Sequence, residues 1–257
     1  MQQQSILEAH NISKRFGGLA ALDGIDLSIK RGEILGVLGP NGAGKTTFVN
    51  CITGLDKPTQ GTVLFNGQDI TRLPGFAIGR LGMARTFQIV KPFKQLTVRD
   101  NVAVGAMFGA GGRRRSAAEA KDYAEHVLER VGLHEHSRRM AAELTIPDLK
   151  RLELAKALAM DPELLFLDEV MAGLNSVEVE RAMELIQSIN RGGITIFVIE
   201  HVMKAIMGIS HRLVVLHFGK KIAEGSPREI VDSPQVIEAY LGERFAQRER
   251  ARRTERT

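Results

Sequence analysis

With one cysteine, Cys51, the 257-residue chain has no internal disulfide to draw on. No apolar run approaches the ~20 residues that a bilayer-spanning helix needs, and stretches such as Ile194 to Ile199 fall far short. Met1-Gln2-Gln3-Gln4 shows no basic region leading into an apolar one, so no secretory signal is expected and the chain reads as cytosolic. No internal repeat is present, and no Asn-Lys-x-Asp element of the GTPase kind. The net charge of +5 is modest, and much of it gathers in Arg113-Arg114-Arg115 and in the arginines after Gly242. No aromatics are interleaved with these runs, so they read as solvated surface and no nucleic-acid partner is expected. Hydrophobic residues at 44% and charged ones at 25% suit a soluble globular protein, either one large α/β domain or a core with a small subdomain.

Against these absences stands one dense motif, Gly39-Pro40-Asn41-Gly42-Ala43-Gly44-Lys45-Thr46-Thr47. It fits Gly, four residues, Gly-Lys-Ser/Thr, the loop that cradles phosphates with backbone N–H groups. The apolar run Ile34 to Leu38 before it reads as a buried parallel strand, and Thr46 to Thr53 after it as a helix start. A helix N-terminus adds partial positive charge where the phosphates would lie. Lys45 would reach the β- and γ-phosphates, and the Thr46 hydroxyl would ligate Mg²⁺. Cys51 falls in that helix, where a small buried apolar role is expected.

Short strands are expected at Leu7 to Asn11, Ile25 to Ile29 and Gly61 to Phe65, the last ending at the hairpin signal Asn66-Gly67. These make a small antiparallel sheet. The stretch from Val98 to Met160 reads as helical, notably Ala117 to Val131 and Asp148 to Ala159. Strands at Leu164 to Leu167, Ile194 to Ile199 and Leu213 to Leu216 alternate with helices at Ser176 to Ile189 and Val202 to Met207. That alternation implies a mainly parallel sheet with its ligand at the strands' C-terminal ends. The fold class expected is α/β, a P-loop NTPase with a mainly parallel core sheet, a small antiparallel β subdomain and a helical subdomain.

A second motif narrows the chemistry. Leu164-Leu165-Phe166-Leu167-Asp168-Glu169 is an apolar strand delivering two acids at its end. Asp168 would hold Mg²⁺, a hard cation that prefers oxygen. Glu169 would polarise the attacking water.

With these residues in order, the chain resembles the ATP-binding subunit of an ABC transporter from about Leu7 to Gly242. The resemblance implies a single ATPase domain over 1–242, with a helical subdomain at about 98–160 inserted in the core, and a basic tail at 243–257. It implies that Gln88, in Arg85-Thr86-Phe87-Gln88, contacts Mg²⁺ and the water. It implies that His201 contacts the γ-phosphate, and that Phe16, in Lys14-Arg15-Phe16-Gly17, stacks on adenine. ATP and Mg²⁺ are the cofactors implied. The family's signature, Leu-Ser-Gly-Gly-Gln, is altered here to Leu144-Thr145-Ile146-Pro147-Asp148. Pro147 removes a backbone N–H that would face phosphate, and Asp148 favours the helix start while repelling phosphate. Because that segment would face a partner's ATP, a heterodimer with one competent site is expected ahead of a homodimer.

Within the family, the chain is similar to the branched-chain amino-acid (Liv-type) uptake transporters. The similarity lies in Arg85 to Gln88, Ala172-Gly173-Leu174-Asn175, Ile199 to Lys204, Met207 to Arg212 and Val236 to Gly242. It implies as partners a second ATP-binding subunit, two membrane-spanning permease subunits and an extracytoplasmic substrate-binding protein. The chain would then sit peripherally at the cytoplasmic face of the inner membrane. Its helical region, hinged at the Gln88 loop, would push on the membrane subunits through the surface near Gln88 to Phe93. Other readings are an ATPase subunit of a lipid or lipopolysaccharide exporter, and a weakly hydrolysing regulatory subunit. A soluble ATPase acting on DNA or ribosomes would usually carry a second nucleotide domain or a long coiled coil, and neither is here.

Overall fold

The computed structural model describes residues 4–110 and 115–241. The basic residues 113 and 114 and the tail 243–257 therefore lie outside the described residues, whereas Arg115 lies within them. The chain divides into two compact units, Met1–Arg72 with Ile206–Thr257, and Leu73–Ala205.

The first unit begins with two twelve-residue strands, β1 (Ser5–Phe16) and β2 (Leu19–Lys30), followed by β3 (Ile34–Leu38). Helix α1 (Lys45–Ile52) and strands β4 (Gln60–Phe65) and β5 (Gln68–Asp69) complete its first half. The order β2-β1-β4-β5 gives the antiparallel sheet expected from the sequence. Its tight turn is at Asn66-Gly67, both in the left-handed region at φ 51° and 77°. Those angles are what a two-residue hairpin matched to strand twist demands. Cys51 is buried in α1, and burial pushes its thiol up to about 11, so it packs as a small apolar residue.

The second unit holds α2 (Gly75–Arg80), β6 (Met83–Arg85), α3 (Val98–Met107), α4 (Ala117–Val131) and α5 (Ile146–Leu158). Then come β7 (Leu164–Asp168), α6 (Ser176–Arg191) and β8 (Thr195–Ile199). Strands β6, β7 and β8 pair in parallel, and every residue of β7 and β8 is buried. Near-continuous apolar runs are the mark of strands covered on both faces. Phe166 and Phe197 meet there with ring centroids 4.9 Å apart. Helix α4 starts at a capping box of Ser116 and Glu119 and ends at Gly132 in the left-handed region. Its buried stripe is Ala120, Ala124, Val127, Leu128 and Val131, the helical period seen in the sequence.

Through α7 (Met203–Ile209) the chain returns to the first unit, which gains β9 (Arg212–His217), β10 (Lys220–Gly225), α8 (Pro227–Asp232) and α9 (Pro234–Leu241). Strand β9 runs parallel to β3 and antiparallel to β10. Sequence pattern foresaw β3 and β9 but not β10, whose Lys-Lys-Ile-Ala-Glu-Gly has little apolar content and which, among the described residues, pairs on one side only, with β9. Nor did it foresee β6, which at three residues is too short to carry a period.

Asn101 of α3 organises the chain that follows Gln88. Fully buried, it donates from Nδ2 to the carbonyls of Phe93, Leu96 and Thr97 at 3.0, 3.3 and 2.9 Å. Its Oδ1 accepts from the Phe93 N–H at 2.8 Å. One buried side chain thereby satisfies backbone groups along a turn whose own residues, Phe93 to Leu96, are exposed. Asn101→Ala should lower unfolding free energy by about 2 kcal/mol, since stranded buried polar groups cost of that order; urea denaturation of the two proteins measures it.

Candidate functional site

In the first unit the glycine loop leaves the buried end of β3 and turns into α1. Gly39 has φ 151°, and a Cβ there would stand 2.3 Å from the Leu216 carbonyl oxygen. Gly44, the residue before α1, has φ 101°. Neither position admits a side chain without moving backbone, which explains two of the motif's glycines. Among the described residues no side chain caps the start of α1, and a helix N-terminus carries partial positive charge that suits an anion. Lys45 is 7% exposed, and its Nζ donates to the Gly39 and Pro40 carbonyls at 2.6 and 3.0 Å. It folds back along its own loop. Asn41, Gly42 and Thr46 are exposed, Pro40 and Thr47 half-buried, and Ala43 buried with its carbonyl accepting from the Gly219 N–H. Phe16, at the end of β1, is 48% exposed with Lys14 Nζ 4.9 Å from its ring centroid, so it is not a core residue.

One contact to the loop escaped the sequence. The Tyr240 hydroxyl of α9 accepts a 2.6 Å hydrogen bond from the Gly39 N–H, and burial raises its pKa while that bond opposes the rise. Tyr240 lies in the segment Val236 to Gly242, but no spacing rule links residues 201 positions apart.

In the second unit β7 ends in the two acids. Asp168 is buried and its Oδ2 accepts from Arg85 Nη2 at 2.8 Å. The Asp168 N–H donates to Thr86 Oγ1 at 3.1 Å, so Arg85 and Thr86 of the β6 edge hold both ends of this residue. Both belong to the Arg85-Thr86-Phe87-Gln88 segment, of which sequence reasoning assigned a role only to Gln88. Glu169 follows in the left-handed region at φ 51°, a conformation that non-glycine residues rarely adopt and that surrounding contacts must enforce. Its Oε2 accepts from Gln88 Nε2 at 2.6 Å, and its Oε1 is hydrogen-bonded to His201 Nε2 at 2.6 Å. With a carboxylate as acceptor, Nε2 is the protonated ring nitrogen. The structure thus brings together Gln88, Glu169 and His201, which lie 81 and 32 positions apart in the chain. Each carboxylate oxygen keeps a further lone pair, so this arrangement can accept a proton from a water molecule.

The altered signature begins α5. Thr145 is the N-cap: its Oγ1 accepts from the Asp148 N–H at 3.4 Å and donates to Asp148 Oδ2 at 2.7 Å. Pro147 lies in the first turn, as expected of a residue with no N–H to lose there. Arg151 Nη1 stands 3.5 Å from Asp148 Oδ1. The Thr145 hydroxyl is thus engaged within its own helix. Asn175, the last residue of the Ala172-to-Asn175 segment, caps α6 in a capping box with Glu178.

A strand, a glycine loop opening a helix, and a second apolar strand ending in paired acids define a P-loop nucleoside triphosphatase. The ABC transporter family matches residues 22–172, and the branched-chain amino acid ATP-binding cassette transporter family matches residues 220–246. The chain is 43% identical to the high-affinity branched-chain amino acid transport ATP-binding protein LivG of Escherichia coli strain K12, over 93% of this chain and 99% of that one. Among solved structures, the ADP conformation of MJ1267, an ATP-binding cassette of an ABC transporter, superposes with a TM-score of 0.85 at 31% identity, covering 93% of this chain and all of that one. The dimeric, post-hydrolysis ATP-binding cassette MJ0796, bound to ADP and Pi, gives a TM-score of 0.77 at 28% identity, with 86% and 99% covered. The chain belongs to the ATP-binding subunits of ABC transporters, in their branched-chain amino acid branch.

Tyr240→Phe should leave the Gly39 N–H without its acceptor and lower stability by about 1 kcal/mol, the net worth of one hydrogen bond. Thermal unfolding with and without ATP checks it, and an equal loss in both conditions is expected.

Proposed function

We propose that this chain hydrolyses ATP to drive uptake of branched-chain amino acids, with Glu169 polarising the attacking water. The observation that carries the reading is Glu169 held at 2.6 Å by both Gln88 and His201 at the end of a buried strand. Backbone N–H groups of Gly39 to Thr47 would take the phosphates, with Lys45 leaving its loop carbonyls for the β- and γ-phosphate oxygens. Phe16, exposed at a strand end, would stack on adenine.

By residue chemistry the implied ligands suit Mg²⁺: the Thr46 hydroxyl in the first unit, and the Asp168 carboxylate and Gln88 amide oxygen in the second, would each offer it a hard oxygen. Among the described residues no group of three or more His, Cys, Asp or Glu could hold a metal by itself. That suits a cation bound jointly by protein and substrate phosphates, as Mg²⁺ usually is. When bound, it would neutralise charge developing on the phosphates. Arg85 now satisfies Asp168, and the ion would share that carboxylate.

The chain would act as one ATPase domain over 1–242, with 98–160 as the helical lever. Its partners would be a second ATP-binding subunit, two permease subunits and an extracytoplasmic substrate-binding protein, at the cytoplasmic face of the inner membrane. Among the described residues no helix is long and apolar enough to cross a membrane, so the channel would belong to the permeases. Exposed Phe87, Ile89 and Phe93 beside Gln88 suit a contact with them. ATP contacts would favour a closed dimer and hydrolysis would release it. The self-capped Thr145–Asp148 pair favours a heterodimer, because a signature whose hydroxyl is already engaged offers little to a partner's γ-phosphate.

Glu169→Gln should lower kcat for ATP by about 100-fold or more while ATP affinity stays within about 2-fold; steady-state turnover and nucleotide titration separate the two. The corresponding change in the partner subunit should cost much less, and equal losses would remove the asymmetry. In cells lacking this chain, uptake of labelled leucine, isoleucine and valine should return with the wild-type chain and not with Lys45→Ala. If deletion leaves uptake unchanged in a strain with no parallel importer, the substrate assignment is wrong.

A further inference from the structure

Two ionisable residues in the second unit, the half-buried Lys150 and the buried Glu200, have no part in the reading above, and both grip the turn that carries Glu169. Lys150, on α5 two residues after Asp148, donates from Nζ to the Ala172 carbonyl and, at 3.3 Å, to the Glu169 carbonyl. Glu200, at the end of β8, is 1% exposed, and its Oε1 accepts from the Met171 N–H at 2.7 Å. Its other oxygen, Oε2, is buried with no hydrogen-bond partner among the described residues. Burial raises the Glu200 pKa, against the Met171 and His201 N–H groups and the Lys150 charge, which favour the anion. Burial likewise lowers Lys150, opposed by Glu200 and Glu169.

Neither residue is a plain stabiliser of the fold. A carboxylate buried beside another acid, with one oxygen unpaired, is costly. A lysine spent on two carbonyls of one short turn gives up hydration for a local constraint. What the two share is the segment from Glu169 to Ala172, whose first residue has the left-handed φ of 51°. Backbone contacts of that segment include the Glu169 N–H to the Ile199 carbonyl at 2.9 Å, the Ala172 N–H to the Glu169 carbonyl at 3.2 Å and the Leu174 N–H to the Met171 carbonyl at 3.3 Å. Such a conformation persists only when its neighbours over-determine it.

We propose that Lys150 and Glu200 are positioning residues for ATP hydrolysis: from α5 and from β8 they clamp the Glu169–Ala172 turn and so aim the Glu169 carboxylate. The clamp ties the orientation of Glu169 to α5, the helix whose first turn is the altered signature. A displacement of that first turn, by whatever binds it, is passed through Lys150 to the turn carrying Glu169. The inference rests on the role given to Glu169 above, through which both residues would act.

The test is ATP turnover by the assembled transporter carrying Lys150→Met, Lys150→Arg or Glu200→Gln, each alone and with Glu169→Gln. Lys150→Met should lower kcat about 10-fold with KM for ATP within about 2-fold, since small misplacement of a reacting group costs rate more than binding. Lys150→Arg, which keeps a cationic donor, should recover most of that loss, and Glu200→Gln should lower kcat about 3-fold. In the Glu169→Gln background neither change should lower the residual rate further, because residues acting through one group are non-additive. Unchanged kcat, a rise in KM alone, or the same losses in the Glu169→Gln background would each overturn the clamp. Should Lys150→Met not fold, as judged by thermal unfolding, Glu200→Gln and Lys150→Arg carry the same comparison. Loss of turnover in Glu169→Gln with none in Lys150→Met or Glu200→Gln removes the clamp alone. Full turnover in Glu169→Gln removes the role of Glu169 and the clamp with it.

Discussion

Strand β7 imposes the constraint on which the second unit depends, because it is buried along its whole length and then must deliver charge at its last residue. Leu164 to Leu167 satisfy the demand for apolar surface on both faces of a covered parallel strand. Asp168 continues the strand's register opposite Ile199, so its carboxylate is taken out of water before the strand ends. A carboxylate in that position needs a cation or strong donors. Arg85, the last residue of the short parallel strand β6, supplies the cation, and Thr86 after it accepts the Asp168 N–H. The turn at Glu169 then breaks the strand in a left-handed conformation, which moves the next carboxylate out to where Gln88 and His201 reach it. Three separate chain segments converge because β6, β7 and β8 pair in parallel and end together.

The first unit solves a different problem with similar means. Its glycine loop must bring backbone N–H groups to bear on an anion, so the loop is packed too closely for side chains at Gly39 and Gly44. Lys45, mostly withdrawn from solvent, rests on carbonyls of the same loop, which keeps a buried ammonium hydrogen-bonded. Tyr240, from the far end of the described chain, supplies the Gly39 N–H with an acceptor. Thus the C-terminal segment that marks the branched-chain amino acid branch also has a physical part in shaping the loop.

The altered signature illustrates how local chemistry trades one role for another. Ser or Thr before a helix can cap its own N-terminus or present a hydroxyl outwards. Here Asp148 draws the Thr145 hydroxyl inwards, and Pro147 completes a good first turn. The result is a well-formed start to α5 whose polar groups are already satisfied. Lys150, one turn further on, carries that helix's influence to the backbone around Glu169.

By itself the sequence pointed to the class of protein, and to Gln88 and His201, through its resemblance to the family; the apolar strands, the long helices, the phosphate loop with Lys45 and the paired acids Asp168 and Glu169 it marked directly. Each of the latter rests on a short-range pattern: alternation or period for α4 and β7, turn chemistry at Asn66-Gly67, a fixed spacing for the phosphate loop. The altered Thr145-to-Asp148 segment was equally legible, because capping and proline effects act within four residues. Tertiary structure alone decided the rest. That Arg85 meets Asp168, that Asn101 ties down the Phe93 turn, that Tyr240 touches Gly39, and that Lys150 and Glu200 grip the Glu169 turn are contacts between residues unlike their motif neighbours. Edge strand β10 and three-residue β6 were hidden for a related reason, since neither carries enough apolar residues to show a period. A single chain's pattern records which face of an element is buried; it does not record what lies against that face, because pairing between distant segments is set by the packing of the whole core.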